Sequence, residues 1–270
     1  MLLPNMFDQF RRRSVNLEHL DKGDYTAEEY EGCIVELQRV NRWLGDARAL
    51  RDSLLREIDK LDLRTFSVLD VGAGSGELLR VIADWARKRD RKARLVGVEL
   101  NTRSTKAIAG RATTLPEISA VRGDALRLPF ADNEFDYTMC SLFTHHFRNK
   151  DVVAILSELG RVSARRVFVI DLHRHPVAYY FYITIGHLFL HNRLIREDGA
   201  LSIRRSFKPE ELLDLAQQAG LEGPRVERHF PYRLVLAASR PHSAERLRLS
   251  AQSTHVEAAP PTAGGIASRV

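Results

Sequence analysis

The segment VLDVGAGSGEL, residues 68–78, sets an acid, Asp70, two positions before Gly72 and then places Gly74 and Gly76 at alternate positions. Val68, Leu69 and Val71 read as the end of a buried strand, and the glycines read as a turn into a helix that begins near Glu77, where backbone must approach a ligand closely. A dinucleotide turn spaces its glycines G-x-G-x-x-G, and a phosphate loop continues into Gly-Lys-Ser/Thr. Here the third glycine comes one residue early and no lysine follows. The acid at Asp70 disfavours a pyrophosphate and suits a ligand that carries positive charge and no phosphate.

Two further acids fall at the ends of later apolar runs. Glu99 closes RLVGVEL, where a carboxylate can accept both hydroxyl protons of a ribose. Asp124 follows EISAVRG, where it can accept from an adenine amino group while the N–H of Ala125 or Leu126 meets a ring nitrogen. Each acid alone has a plainer reading: Asp70 as a helix cap, Glu99 as a solvated surface acid, Asp124 as a local turn residue. Their joint placement on three successive strand ends favours one shared ligand. His145 and His146, in SLFTHHF after the fourth apolar run, are the candidates for taking an acceptor's proton, with a buried structural role as the alternative. Asp171, His173 and His175 in DLHRHP offer a weaker metal-ligand set that lacks a further ligand, and no metal is expected.

The elements that must position these residues follow from pattern. Apolar runs at FSVLD, RLVGVEL, EISAVRGD, FDYTMCSLF and RVFVIDL alternate with amphipathic stretches at 76–89, 103–112 and 150–161, which predicts a parallel sheet with helices on both faces. SFKPEELLDLAQQAGL predicts a helix over 208–219 with Ser206 as N-cap, followed by strands near 225–230 and 232–239. Residues 15–62 carry a helical stripe and read as an N-terminal cap, with Trp43 and Trp85 assigned to core. A helical insert is expected at about 175–200, where Tyr179, Tyr180, Phe181, Tyr182 and Phe189 either shape a lid over an apolar acceptor or pack on the cap. The Ser-, Ala-, Pro- and Gly-rich 241–270 reads as a disordered tail.

Composition narrows the class. The chain has 270 residues, 44% hydrophobic and 28% charged, with a formal net charge of +6. That is ordinary for a globular domain, and the arginines are scattered among acids rather than interleaved with aromatics, so nucleic-acid binding is not expected. Cys33 and Cys140 form no CxxC pair, which suggests a reducing, cytoplasmic setting. No transmembrane segment is expected, because the apolar stretch from Pro176 to Leu190 is too short and contains His187.

Taken together, VLDVGAGSGEL, VGVELN, GDALRLPF and FDYTMCSLFTHHF, with the ending KPEELLDLAQQAGL, resemble the class I S-adenosylmethionine-dependent methyltransferases, especially the small-molecule branch that includes the ubiquinone and menaquinone biosynthesis enzymes. The resemblance covers about residues 64–240 and divides the chain into a cap (1–63), a cofactor-binding domain (64–240) and the tail. It implies a Rossmann-like, seven-stranded, mostly parallel α/β sheet whose seventh strand is reversed. It further implies that Asp70, Gly72, Gly74 and Gly76 approach the methionine part of S-adenosylmethionine, that Glu99 holds the ribose and Asp124 with Ala125 and Leu126 the adenine, and that residues 140–144 line the path to the acceptor. The expected activity is methyl transfer to oxygen or carbon of a small apolar or aromatic acceptor. An RNA or protein methyltransferase is the alternative, disfavoured because SLFTHHF stands where amine-directed relatives carry an Asn-Pro-Pro-Tyr type motif; a non-catalytic cofactor-binding regulator is another. The glycine spacing disfavours a nicotinamide-dependent oxidoreductase.

Overall fold

The computed structural model describes residues 8–26, 28–29, 32–33, 36, 45–186 and 190–240. Trp43, Phe189 and the tail 241–270, each assigned a role from sequence, lie outside the described residues. Seven strands form one sheet: β1 (Thr65–Val71), β2 (Lys92–Glu99), β3 (Ile118–Arg122), β4 (Phe135–Ser141), β5 (Ser163–Leu172), β6 (Glu222–His229) and β7 (Arg233–Ser239), in the order β3-β2-β1-β4-β5-β7-β6. The pairs from β3 to β5 are parallel, and β7 runs antiparallel to both β5 and β6. This is the expected architecture, including the reversed last strand.

Alternation along the strands sends side chains to two cores. Leu69, Val71, Val96 and Val98 face one layer with Ile155, Leu156 and Leu159 of the helix Asn149–Val162 and Leu212 and Leu215 of the helix Pro209–Gln218. Phe66, Val68 and Leu95 face the other, with Leu79 and Ile82 of Glu77–Arg87 and Ile108 of Thr102–Arg111. That second layer also takes Leu50, Leu54, Leu55 and Ile58 from a continuous helical run made of Asp46–Leu50, a π-helical turn Arg51–Leu55 and Arg56–Lys60. The end of the cap region therefore shares its core with the sheet. Trp85 is core, as expected, edge-on to Phe66.

Two local expectations are corrected. Residues 15–18, at the start of the 15–62 stretch whose stripe predicts helix, have no regular structure; Glu18 and the preceding Arg13 are committed to distant partners. Arg13 donates to the carbonyls of His145, Phe147 and Arg205, and Glu18 accepts from the Ser202 hydroxyl. Ser206 does not cap the helix Pro209–Gln218: buried, it closes the preceding helix Arg193–Arg205 and donates to the Ile203 carbonyl. The Lys208 N–H is satisfied instead by the Glu211 carboxylate.

The insert is helical at Pro176–Phe181, with a π-helical turn Tyr182–Gly186, before Arg193–Arg205. Tyr179 and Tyr180 pack edge-on to Phe10, and Tyr182 joins Leu20, Tyr25 and Leu194 around Cys33. Those tyrosines pack on the N-terminal segment, whereas Phe181 is exposed. Among the described residues no helix is long and apolar enough to cross a membrane.

Candidate active site

The ends of β1, β2 and β3 are stitched together by backbone. The Gly72 N–H donates to the Val98 carbonyl at 2.9 Å and the Gly123 N–H to the Glu99 carbonyl at 3.1 Å, which brings the three acid-bearing strand ends side by side. Asp70 sits in the interior strand β1, between Gly97 and Met139, and is buried at 2% exposure. Its Oδ1 has no hydrogen-bond partner among the described residues. Burial, and then the neighbouring Glu99 carboxylate, push the Asp70 carboxyl up to about 8. Burial raises Glu99 as well, offset by the N–H groups of Gly74 and Leu100; Gly74 donates to Glu99 Oε1 at 2.5 Å.

The three glycines do different work. All have positive φ, but a side chain at Gly72 would run into the Phe143 ring at 2.3 Å, and one at Gly76 would touch Ile108 and Arg111 at 3.4 Å. Only beside Gly74 is there open space. Gly72 and Gly76 thus let neighbouring protein close in, whereas Gly74 leaves room for a ligand. From outside, Arg111 donates to the Ser75 carbonyl at 2.5 Å and pairs with Glu77, fixing the turn. Asp124 is exposed, and its Oδ1 accepts the Leu126 N–H at 2.9 Å, so that N–H is already engaged while Ala125 lies buried behind it.

The buried Asp70 Oδ1, with no donor among the described residues, and the half-buried Glu99 carboxylate next to an open glycine suit a ligand that brings positive charge and hydrogen-bond donors. An ammonium and a ribose supply both, so these residues fit S-adenosylmethionine.

The raised Asp70 has a consequence for stability. Unfolded, the carboxyl ionises near 4; folded, near 8. Between those values the folded chain binds the extra proton, so stability drains as pH rises through the window. Asp70→Asn, neutral at every pH, should melt about 5 °C or more above the wild type at pH 8, and the gap should shrink towards pH 4. Melting curves across pH check this; a gap independent of pH contradicts it.

After β4 the chain turns through Leu142 and Phe143 into a 3₁₀ turn at Thr144–His146. Of the stretch expected to line the acceptor path, Cys140 and Thr144 are buried, and Ser141 to Phe143 are half-buried. His145 is buried at 3% exposure, with its Nδ1 2.6 Å from Asp171 Oδ1. Asp171, fully buried, also accepts from the Thr144 hydroxyl and the Leu172 N–H. Burial alone would raise Asp171, but the charge and hydrogen bond of His145, with the other donors, hold it at about 2. A carboxylate only accepts, so Nδ1 carries a proton, and Nε2 is the ring nitrogen left to exchange one. The His146 ring lies 4.3 Å from that of His145, half-buried, its Nδ1 3.6 Å from Glu18 Oε2. Sequence reading found the two histidines but not Glu18, which nothing local marks, and it took Asp171 for a metal-set candidate rather than the partner of His145.

His173 and His175 do not join a three-donor set with Asp171, whose oxygens are already committed. Their rings stack towards Tyr232, and His175 Nδ1 accepts the Val177 N–H. They line a cavity of about 380 Å³ with Phe10, Lys208 and Arg228, to which Asp70, Glu99 and Asp124 contribute nothing.

Residues 68–166 match the family described as "Methyltransferase domain". The chain is 31% identical over 175 residues to the demethylmenaquinone methyltransferase of Roseiflexus sp., covering 56% of this chain and 66% of that one. It is 30% identical over 188 residues to the 2-phytyl-1,4-naphtoquinone methyltransferase of Thermosynechococcus vestitus, covering 64% and 79%. Its fold is that of an S-adenosylmethionine-dependent methyltransferase from Aquifex aeolicus (TM-score 0.53, 15% identity, 74% and 96% covered) and of magnesium protoporphyrin IX methyltransferase from Synechocystis with bound SAH (0.51, 16%, 73% and 84%). The chain belongs to the class I S-adenosylmethionine-dependent methyltransferases.

Proposed function

We propose that this chain methylates oxygen or carbon of a small, largely apolar or aromatic acceptor in the cytoplasm. The observation that carries the reading is the buried Asp70 carboxylate and the half-buried Glu99 carboxylate that accepts from Gly74, beside a turn whose Gly74 has open space around it. Asp70, with Gly72, Gly74 and Gly76 shaping the turn, would meet the ammonium of the methionine part. Glu99 would hold the ribose hydroxyls. Asp124, with the backbone of Ala125, would meet the adenine edge, the Leu126 N–H being held by Asp124 itself. S-adenosylmethionine supplies a methyl group already activated on a sulfonium. The protein's part is to align, to exclude water and to ease proton loss from the acceptor. His145, fixed by Asp171, and His146 beside it serve that last purpose. The kinship to two quinone-directed methyltransferases supports an aromatic acceptor, and the half-buried Phe143 and Phe147, 4.8 Å apart, supply an apolar wall.

The test is incubation with methyl-labelled S-adenosylmethionine and a panel of phenols, quinols and hydroxylated polyketides, read by mass spectrometry. The expected result is a singly methylated product from at least one ring acceptor. Transfer only to RNA or protein would overturn the reading.

A further inference from the structure

The THH turn meets the N-terminal segment in a way the methyltransfer reading does not use. Glu18, His145 and His146 each bring a ligand atom to within 4.8 Å of the others, and Glu18 and His145 are buried. The shortest separation known among them, Glu18 Oε2 to His146 Nδ1, is 3.6 Å. Ligands about 2 Å from a tetrahedral ion stand roughly 3.3 Å apart, so small side-chain rotations close the set.

The surroundings suit a cation held by imidazole. His145 gives its Nδ1–H to Asp171, the carboxylate-histidine arrangement that fixes the tautomer and turns Nε2 outward as a ligand. Glu18 Oε1 accepts from the Ser202 hydroxyl at 2.8 Å, with Arg205 Nε at 3.9 Å, and Oε2 is the oxygen that lies 3.6 Å from His146 Nδ1. The guanidiniums of Arg13 and Arg205 are directed at the carbonyl oxygens of His145, His146 and Phe147, on the backbone side of the turn.

We propose that Glu18, His145 and His146 form a binding site for a divalent transition-metal ion, of the two-histidine, one-carboxylate kind that leaves further positions open. Two imidazoles favour zinc over magnesium. The site rests on the proposed function in one respect: His145 and His146 ease proton loss from the acceptor by holding an ion that polarises its oxygen. It also explains why the N-terminal segment reaches back to β4, since Glu18 is the ligand that the sheet does not supply.

The experiment is calorimetric titration of Zn²⁺ into the chelator-stripped full chain, without acceptor. One equivalent should bind, and Mg²⁺ at the same concentration should not compete. Glu18→Gln and His146→Gln should each weaken Zn²⁺ at least tenfold, and Asp171→Asn ten- to a hundredfold, while S-adenosylmethionine affinity stays within about threefold of wild type. The double change of His173 and His175 to Asn should leave the zinc site intact. No bound zinc, or zinc binding unaltered in both Glu18→Gln and His146→Gln, overturns the site. S-adenosylmethionine titration of the same samples tests the cofactor reading separately, so either can fail alone.

Discussion

Gly74→Val is expected to abolish measurable S-adenosylmethionine binding while leaving a folded chain. Gly74 has φ +56°, and nothing lies within 4 Å of where its side chain would be. An added Cβ there meets no protein atom within 4 Å; the cost to folding is the left-handed backbone, about 1–2 kcal/mol for a branched residue, a drop of several degrees in melting temperature. The valine methyl groups would extend into the open face of the turn, where the methionine part of the cofactor is proposed to lie. Glu99→Ala should act on the same equilibrium by another route: removing a partly buried carboxylate that accepts two hydroxyls costs about 2–3 kcal/mol, roughly 30- to 150-fold in affinity. Calorimetric titration of both variants, with melting curves as the control for folding, decides the matter. Wild-type affinity in both would remove the cofactor site from the ends of β1 and β2.

His145→Gln should separate chemistry from binding. The amide retains a donor for Asp171, so the buried carboxylate held at about 2 keeps a partner, while the proton-exchanging Nε2 is lost. Turnover is expected to fall 10²- to 10⁴-fold, the usual range for a group that assists proton transfer, with S-adenosylmethionine affinity nearly unchanged. Single-turnover rates on the acceptor found by the labelling panel, beside cofactor titrations, measure both quantities. A variant with wild-type turnover would leave His145 a structural residue that merely ties β4 to β5 through Asp171.

Much of this was legible in the sequence because the physics involved is local. Strands β1, β4 and β5 are buried on both faces, so they read as unbroken apolar runs, and the glycine spacing distinguished the turn from a dinucleotide or phosphate loop. The acids at the ends of β1 and β2 could be placed because a strand must end where its ligand begins. Much of what escaped the sequence depends on contacts between stretches that are distant in the chain. The roles of Gly72 and Gly76 are set by Phe143 and by Arg111 with Ile108, neither of which lies in the turn. Residues 15–18 open a stretch that carries a helical stripe, but Glu18 is committed to the helix Arg193–Arg205 and the neighbouring Arg13 to the THH turn. Ser206 has the right type for an N-cap and the wrong depth: buried, it serves the helix before it.

The most direct measurement is a crystal structure of the chain with S-adenosylhomocysteine. The prediction is one nucleoside against Gly74, its ribose hydroxyls on Glu99, its amino group nearest Asp70 and its adenine beside Asp124. A ligand bound elsewhere, for instance in the cavity beside His173, with no contact to Asp70 or Glu99, would contradict it.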